Sequence, residues 1–219
     1  HTHASKAGAI GRIAANKAGV KQIYHTFHGH VFHSYFGKTK TTFYKNLERY
    51  LAKKSTKIIA ISEIQKHELV DIHKICKSEK VKVIPLGFDL DRFKENQENK
   101  RAIFRKEWRI KENEIAIGII GRIVPIKDHH FFIDVIEKIK KITDKNVRFF
   151  VIGDGESKQE IINYANSKNL STSTNTNPAT IQFTSWIKNI DIANAGLDII
   201  CLSSKNEGTP VSLIEAQAS

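Results

Sequence analysis

Two glutamates near the end of the chain could act on one ligand. Glu207 and Glu215 stand eight residues apart in SSKNEGTPVSLIEAQAS, residues 203–219. Pro210 suits the first position of a helix and Thr209 suits its N-cap, so a helix is expected to begin between the carboxylates. Unpaired amides there would stabilise an anion, and a carboxylate on either side could accept hydrogen bonds from sugar hydroxyls. This arrangement suits a nucleotide-sugar, whereas two glutamates alone are more often solvated surface charges. The expected amide donors are those of Gly208, Thr209, Val211 and Ser212.

A second cluster of charge follows an apolar stretch in the middle of the chain. In GIIGRIVPIKD, Gly121 and Arg122 follow a predicted strand, and Lys127 stands where the next helix should begin. Parallel α/β sheets bind their ligands outside the carboxyl ends of the strands. Two cations at that edge would suit a diphosphate, although solvated loop cations are the alternative. VIGDGESK also ends a strand, at Gly153, but Lys158 replaces the third glycine of a nucleotide-binding fingerprint, so this signal is weak.

Short β-branched segments alternate with longer amphipathic segments along the chain. Several predicted strands are apolar on consecutive residues, as strands covered on both faces must be. This alternation, with crossovers long enough for parallel pairing, predicts a doubly wound α/β fold. The predicted strands are residues 21–27, 57–62, 81–86, 114–121, 147–153, 180–184 and 197–203. The predicted helices are residues 6–18, 39–54, 128–143 and 157–168, and another that begins at Ser62 with a capping box to Gln65.

Two polar segments interrupt the alternation. GFDLDRFKENQENKR, residues 87–101, is expected to be a linker or hinge that divides the chain into α/β units of residues 1–95 and 96–219. STSTNTNPAT, residues 171–180, is interpreted as a surface insertion to which no function is given.

The composition is that of an ordinary globular protein with a strong positive charge. The chain has 219 residues, and 40% of them are hydrophobic. It has no secretion signal and no apolar run of the roughly 20 residues that span a bilayer, so a cytosolic or peripheral protein is expected. Cys76 and Cys201 are expected to be reduced. The formal charge of +12 favours nucleic acid, an anionic membrane surface or phosphorylated small molecules as partners, but solvated helix faces explain it equally well.

Histidines are concentrated at the start of the chain, and a zinc site is one interpretation of them. No cysteine or nearby carboxylate completes a ligand set, and the spacing matches no common zinc site. Polar residues that line a cleft are the preferred interpretation. The histidines concerned are His1, His3, His25, His28, His30 and His33.

Several of these segments together resemble family 4 glycosyltransferases of the GT-B fold. GRIVPIKD, FVIGDGE and SSKNEGTPVSLIEAQAS are similar to the family's C-terminal domain, and the last contains its E-x7-E signature. HTHASKAG, HTFHGHVF, IIAISE and VIPLGFDLDRF resemble the second half of its N-terminal domain, in the same order. Each segment alone is moderately specific, and the whole series in the correct order is highly specific for the family.

The resemblance implies two Rossmann-like domains facing across a cleft, both incomplete in this sequence. The family's first strand and glycine-rich loop would precede His1, and its last strand and returning helix would follow Ser219. Gln217 replaces the methionine that is usual in the family.

The resemblance also implies roles for individual residues. Glu207 would bind hydroxyls of the donor sugar, and Glu215 would bind the ribose. Arg122 and Lys127 would neutralise the diphosphate, and His28 would lie near the reactive carbon of the donor. The other residues expected to contact the donor are Gly121, Gly153, Trp186 (near the nucleobase), Gly208, Thr209, Pro210, Val211 and Ser212.

No metal or other cofactor is expected, because this family holds the diphosphate with cations and helix amides. Asp89–Asp91 could be taken for the metal-binding Asp-x-Asp of the other glycosyltransferase fold. Its position after VIPLGF fits the GT-B pattern instead.

The implied reaction transfers a sugar from a nucleotide donor to an acceptor hydroxyl with retention of anomeric configuration. UDP is favoured as the nucleotide by its frequency in the family, and the expected acceptor is a glycan or lipid-linked glycan of bacterial cell-surface synthesis. Basic residues 39–57 would dock on an anionic membrane surface at the inner face of the membrane. A nucleotide-sugar epimerase of GT-B type and a non-catalytic truncated fragment remain alternatives. A nucleic-acid-binding protein would explain the charge, but no recognised binding motif is present.

Overall fold

The structure, a computed structural model, describes residues 1–29 and 37–219 and divides into two compact units. The first comprises His1–Phe88 together with Glu207–Thr209, and the second comprises Asp89–Asn206 together with Pro210–Ser219. Each unit contains a parallel sheet with helices, so the predicted α/β fold class is confirmed. His30 and His33 lie outside the described residues.

The first unit has a four-stranded parallel sheet in which the strands lie in chain order. Its strands are β1 (Thr2–His3), β2 (Tyr24–Phe27), β3 (Lys57–Ala60) and β4 (Val81–Val83). Its helices are α1 (Ser5–Lys17), α2 (Lys38–Lys54) and α3 (Glu63–His67), with a π-helical turn at Glu68–Ile72 and a 3-10 turn at Ser78–Lys80. The sequence pattern does not indicate β1, and the other three strands are each two or three residues shorter than predicted.

Helix α3 begins as its sequence predicts. The hydroxyl of Ser62 accepts a hydrogen bond from the Gln65 amide at 3.1 Å. The side chain of Gln65 returns to the backbone and accepts from the Ile61 amide at 2.9 Å. The first bond satisfies a donor that the helix start leaves without a partner, so the predicted N-cap at Ser62 is confirmed. The second bond of the capping box goes to the Ile61 amide instead of the Ser62 amide.

The second unit has a five-stranded parallel sheet in the order β7-β8-β6-β5-β9. Its strands are β5 (Ile115–Ile120), β6 (Val147–Ile152), β7 (Thr172–Ser173), β8 (Ile181–Ser185) and β9 (Ile199–Cys201). Its helices are α4 (Asp91–Lys94), α5 (Gln97–Glu107), α6 (His129–Ile142), α7 (Lys158–Ser167), α8 (Ile190–Gly196) and α9 (Val211–Ala218), with a 3-10 turn at Pro125–Lys127. No helix in the described part of either unit is long and apolar enough to cross a membrane.

Apolar side chains cover both faces of the second sheet. Along β5, Ile117 and Ile119 join one buried cluster while Ala116 and Ile120 join another. The first cluster contains residues of α6 and α7, and the second contains residues of α5 and α8. This two-sided burial explains why the central strands are apolar on consecutive residues.

The predicted linker at residues 87–101 is wrong for most of its length, because α4 and the first half of α5 occupy it. Helix α5 buries Phe104 in the second unit. Its cations are also paired: Lys100 lies 2.9 Å from Asp191, and Arg101 lies 2.6 Å from Asp198. The charged residues that suggested a solvated linker are therefore one face of a packed helix.

The polar tract at residues 171–180 contains one short strand. Strand β7 pairs with β8, with Thr172 opposite Ile181. Part of the tract therefore extends the sheet at its edge, where polar side chains are tolerated.

Candidate active site

The order of strands in the second sheet determines where a ligand can bind. From β5 the chain proceeds to β6 and then β8 on one side, and β9 returns to pair with the other side of β5. Ligands of such sheets bind at the carboxyl ends of the strands where this reversal occurs. The loops that follow β5 and β9 flank that point, and they contain most of the residues that the sequence analysis selected.

The loop after β5 is a compact turn that carries Arg122 and Lys127. The Lys127 amide donates to the Val124 carbonyl at 3.0 Å and closes the 3-10 turn. Asp128 has a φ of 50° and is the N-cap residue of α6. The Lys127 side chain lies over Gly121, since a Cβ built on Gly121 would be 3.8 Å from its Cε. The Arg122 carbonyl accepts from the Val124 amide at 3.1 Å, while its side chain is exposed and makes no hydrogen bond or ion pair with the residues that the structure describes.

The loop after β6 packs its backbone directly on the loop after β5. A Cβ on Gly153 would lie 2.0 Å from the Gly121 carbonyl oxygen, and one on Gly155 would lie 2.2 Å from the Ile123 carbonyl oxygen. The Ile123 amide donates to the Asp154 carbonyl at 3.0 Å. Both glycines are thus required by the close approach of two backbones, a use of glycine that differs from a phosphate-binding fingerprint.

Trp186 lies next to this pair of loops and is 60% exposed. Its Cζ3 would be 3.5 Å from a Cβ on Gly153. The preceding residue, Ser185, has a φ of 57°, and its carbonyl accepts from the Gly153 amide at 3.0 Å. The structure therefore brings Gly121, Gly153 and Trp186 together.

A polar network that sequence reasoning missed fixes the conformation beside Trp186. The Asp154 carboxylate accepts from the Ser185 hydroxyl at 2.8 Å and from Lys158 Nζ at 3.1 Å. These bonds, with the Ser185 bond first in importance, lower the pKa of Asp154. Lys158, whose presence weakens the fingerprint in the sequence, acts here as a structural cation.

The loop after β9 is tied to the loop after β5 by two hydrogen bonds. The Ser203 hydroxyl donates to the Lys127 carbonyl at 2.7 Å, and the Lys205 amide donates to the Ile126 carbonyl at 2.9 Å. Lys205 Nζ also lies 3.5 Å from the Asp128 carboxylate. The loop after β9 therefore holds the backbone of the Lys127 turn in place.

Residues Glu207–Thr209 pack with the first unit. A Cβ on Gly208 would lie 3.1 Å from the His28 carbonyl oxygen and 3.3 Å from Ile61 Cδ1. Two of the selected residues, Gly208 and His28, are thus adjacent. Glu207 is partly buried.

The predicted start of α9 is wrong by one residue. Pro210 is the N-cap residue, with φ −78° and ψ 78°, and Thr209 does not cap the helix with its side chain. Because this ψ is not helical, the helix begins at Val211 and its first hydrogen bonds run from the Leu213 and Ile214 amides to the Pro210 carbonyl. The amides of Val211 and Ser212 make no hydrogen bond within the described part of the chain, so both remain donors for an anion.

Glu215 is half-buried on the first turns of α9. Burial raises the pKa of its carboxyl group, and the positive charge of Arg92 opposes that rise. Arg92 was not selected from the sequence, because it lies in the segment interpreted as a linker. Arg92 lies 123 positions before Glu215 in the sequence, so its positive charge is the only sequence signal for this interaction.

Histidines gather at the carboxyl edge of the first sheet. His3 Nδ1 lies 2.9 Å from His28 Nε2, and the rings of His1 and His3 are 4.2 Å apart. His25 is buried, and its pKa is lowered to about 3 by burial first and by Arg12 second. Among the described residues no group of three or more His, Cys, Asp or Glu side chains has a geometry that could hold a metal ion. Asp89 and Asp91 therefore belong to no such group.

The two cysteines are half-buried and unbonded. Cys76 belongs to the first unit and Cys201 to the second. Burial raises the pKa of both thiols.

Comparisons with known proteins give the class of this fold. The Anabaena protein HepE, solved with UDP and glucose, aligns with a TM-score of 0.79 at 20% identity over 98% of this chain and 55% of that chain. WaaG, a glycosyltransferase involved in lipopolysaccharide biosynthesis, aligns with a TM-score of 0.73 at 16% identity over 95% of this chain and 60% of that chain. At these identities the likeness establishes the fold, which is the GT-B fold of glycosyltransferases.

Sequence comparisons give the family. Residues 1–92 match the family model for Glycosyltransferase Family 4, and residues 100–219 match the model for Glycosyl transferases group 1. The chain is 33% identical over 229 residues to the Escherichia coli UDP-Gal:alpha-D-GlcNAc-diphosphoundecaprenol alpha-1,3-galactosyltransferase, covering 100% of this chain and 54% of the relative. It is 32% identical over 110 residues to the Staphylococcus aureus capsular polysaccharide biosynthesis glycosyltransferase CapM, covering 49% of this chain and 28% of the relative.

The chain therefore belongs to the family 4 glycosyltransferases, as its motifs indicate. It spans about half the length of the Escherichia coli relative.

Proposed function

We propose that the protein containing this chain is a retaining glycosyltransferase that moves a sugar from a UDP-sugar to an acceptor hydroxyl. The observation that carries the proposal is the pairing of the β5 and β9 loops where the strand order reverses. The bonds of Ser203 and Lys205 hold the Lys127 turn there, with Arg122 beside it. The Escherichia coli relative is named for a UDP-Gal donor, and HepE was solved with UDP, which supports the choice of nucleotide.

The diphosphate of the donor would bind to this turn and to the start of α9. Arg122 and Lys127 supply positive charge, and the Val211 and Ser212 amides supply donors near a positive helix end. Negative charge grows on the diphosphate as its bond to the anomeric carbon breaks. Donors fixed in place before the reaction stabilise that charge without reorganising, so they lower the barrier.

The two glutamates would bind the sugars on either side of the diphosphate. Glu207 accepts hydrogen bonds from donor-sugar hydroxyls, and Glu215 accepts one from the ribose. The half-buried setting of Glu215 makes each such bond stronger than in water, because little solvent competes for the carboxylate. Gly208 and Thr209, beside His28, would line the sugar site, and Gly153 with Trp186 would contact the nucleotide.

Retention follows when the acceptor attacks from the face that the diphosphate leaves. The bond between the anomeric carbon and the diphosphate oxygen breaks with its electron pair going to that oxygen. The acceptor oxygen then bonds to the same face of the carbon and gives its proton to the departing diphosphate. This sequence balances without a side-chain base.

The acceptor is proposed to be a glycan carried on a lipid at a membrane surface. The relative is named for a GlcNAc-diphosphoundecaprenol acceptor, and CapM for capsular polysaccharide synthesis. Helix α2 carries the exposed aromatic residues Phe43 and Tyr50 seven positions apart, on one helical face, and Lys53 and Lys54 in its last turn. Aromatic and basic side chains on one helix suit the interface of an anionic membrane.

The membrane part of the proposal has its own test. The full-length protein is expected to pellet with vesicles that contain phosphatidylglycerol and to stay in solution with phosphatidylcholine alone. Replacing Lys40, Lys53 and Lys54 of α2 with Gln should release it, whereas replacing the second-unit residues Lys138, Lys140 and Lys145 should not. Unchanged pelleting of the first variant would contradict membrane docking through this helix.

The catalytic part is tested by transfer assays on the full-length protein with UDP-hexoses and a diphosphate-lipid-linked sugar. Glu207→Gln should lower kcat/KM by roughly 10- to 100-fold, the effect of losing one or two hydrogen bonds to a charged group. Glu156→Gln is the control, because Glu156 is an exposed carboxylate of the second unit. Full activity of Glu207→Gln, or an inverted anomeric centre in the product, would contradict the mechanism. An epimerised sugar formed from donor alone would indicate an epimerase.

A further inference from the structure

Two histidines of the first unit form a hydrogen-bonded pair at the edge of its sheet. His3 ends β1 and His28 follows β2, and these parallel strands pair with His3 opposite Thr26. The two rings therefore meet, with His3 Nδ1 2.9 Å from His28 Nε2 and 5.2 Å between ring centroids. The proposed function places His28 beside the donor sugar but gives no part to His3.

The neighbouring histidine His25 lies with Thr2 on the other face of the sheet. Thr2 donates its hydroxyl hydrogen to the Tyr24 carbonyl at 3.2 Å, so the Thr2 oxygen accepts from His25 Nδ1, which lies 2.9 Å away. Burial and the Arg12 charge lower the pKa of His25 to about 3, so its ring is neutral at physiological pH. A Cβ on Gly8 would lie 2.5 Å from His25 Cε1, which shows how closely α1 covers the ring.

A bond between two imidazoles requires one N–H and one lone pair between the rings. The bond therefore selects the protonation of both facing nitrogens. Neutral imidazole in water favours the tautomer with hydrogen on Nε2. If His28 Nε2–H donates to His3 Nδ1, both rings have that favoured tautomer. The opposite direction would require both rings to take the less favoured one.

We infer that His3 is a positioning residue that holds His28 with its hydrogen on Nε2 and its Nδ1 as an acceptor for a substrate hydroxyl. This inference rests on the proposed function. Nδ1 of His28 makes no hydrogen bond to any described residue, and the His28 ring is exposed, so the atom is accessible to a ligand. The chemical class that suits it is a hydroxyl donor, as in a sugar, and a carbonyl or phosphate oxygen at this position would be disfavoured.

Substitutions at His3 can separate this role from simple packing. Asn carries a polar atom on Cγ, where His carries Nδ1, so His3→Asn keeps a partner for His28 Nε2. Gln carries its polar atoms one bond further out, and Leu carries none. The matched control is His1→Gln, which removes a ring that lies beside His3 and bonds to Thr26.

Transfer assays on the full-length protein should give different results for these variants. His3→Leu is expected to lower kcat roughly tenfold, the effect of losing one neutral hydrogen bond, with KM for the UDP-sugar changed less than about twofold. His3→Gln should resemble His3→Leu, while His3→Asn and His1→Gln should stay within about twofold of wild type. Equal kcat values for His3→Leu and His3→Asn would overturn the inference.

Imidazole nitrogen NMR of the same full-length protein supplies a readout that needs no substrate. His28 should show a protonated Nε2 and an unprotonated Nδ1 in the wild type, and an averaged mixture of tautomers in His3→Leu. The His28 signals are assigned by their loss in His28→Gln. A wild-type His28 with hydrogen on Nδ1, or an unchanged tautomer in His3→Leu, would overturn the role of His3 even in an active enzyme. A wild type that has the expected tautomer but no sugar transfer would overturn the proposed function and the substrate contact that depends on it.

Discussion

Arg12 of the first unit and Arg148 of the second unit are both buried, and their charges are neutralised in different ways. Arg12 of α1 is fully buried and donates to both Glu48 oxygens of α2, at 3.0 and 2.8 Å. Arg148 of β6 is 4% exposed and donates mainly to the carbonyls of Trp108 and Arg109, at 2.8 and 3.0 Å. The first arrangement holds a full negative charge out of water, and the second uses neutral acceptors.

This difference shows that two equally buried arginines can differ in how much stability is lost when one of them is removed. A buried ion pair costs desolvation of both charges, which the pair offsets only while both partners are present. Burial raises the pKa of Glu48, and Arg12 opposes that rise, so the carboxylate depends on its partner to stay ionised. Burial lowers the pKa of Arg148, but no carboxylate lies within hydrogen-bonding distance of it, since Glu114 is 3.9 Å away.

The largest expected effect comes from breaking the buried ion pair. Arg12→Met should lower the free energy of unfolding of the first unit by roughly 3 to 5 kcal/mol, because Glu48 is left buried without a partner. Arg148→Met should cost the second unit roughly 1 to 3 kcal/mol, because its hydrogen-bond acceptors are neutral and Glu114 loses only a cation 3.9 Å away. The measurement is urea-dependent alkylation of Cys76 for the first unit and Cys201 for the second, resolved by mass spectrometry.

The double variant Arg12→Met with Glu48→Met is the control for this prediction. It should recover most of the loss, because removing both charges removes the desolvation cost as well. A double variant as unstable as Arg12→Met alone would show that shape, and not charge, determines the energy at this site.

A smaller loss of stability is expected from substituting Gly153, where the backbones of two loops of the second unit are in contact. Gly153→Ala should cost about 2 to 3 kcal/mol, because its Cβ would overlap the Gly121 carbonyl and its φ of 141° strains any other residue. Gly87→Ala is the matched control, since nothing lies within 4 Å of the Cβ built there. Alkylation midpoints in urea measure the changes, with Cys201 reporting on Gly153→Ala and Cys76 of the first unit reporting on Gly87→Ala, and equal losses of stability would contradict the close approach.

Mild acid should weaken both units, through His25 in the first unit and His129 in the second. His25 has a pKa of about 3 and His129 of about 4, against an ordinary value of about 6.5, in both cases chiefly because of burial. Since the unfolded chain takes up the proton first, stability is complete above about pH 6.5 and falls as the pH drops toward the folded pKa. Each histidine should cost its unit about 2 kcal/mol at pH 5.

Substitution of each histidine tests whether it causes the loss of stability in acid. His25→Phe should reduce the difference between pH 7 and pH 5 for Cys76 alkylation only, and His129→Phe for Cys201 alkylation only. Besides burial, the Arg12 charge lowers the pKa of His25, with His3 and His28 adding to it, and Thr2 opposes it. Lys127 and His130 lower the pKa of His129 and Asp128 opposes them.

The sequence predicts the α/β fold and family because those signals are local or repeated. The apolar runs of β5 and β6 and the order of the motifs need no knowledge of distant contacts. Arg92, Asp154 and Ser185 were missed, because their roles depend on partners brought close by folding. The linker prediction was wrong for most of its length, because Arg101 and its neighbours look solvated until Asp198 is placed beside them.

The smallest expected loss of stability comes from substitutions at the starts of two helices. These substitutions also test whether an N-cap can be predicted from the residue type alone. Ser62 and Thr209 both precede predicted helices and both have the side chains of N-cap residues. Ser62 caps α3 at 3.1 Å, whereas Pro210 takes the N-cap position of α9 and leaves Thr209 outside it. Ser62→Ala should therefore lower stability by about 1 kcal/mol and Thr209→Ala by less than about 0.5 kcal/mol. Urea midpoints from Cys76 alkylation, for Ser62, and Cys201 alkylation, for Thr209, provide the comparison. Equal losses would mean that Thr209 caps α9 after all, and that the proline does not displace the helix start.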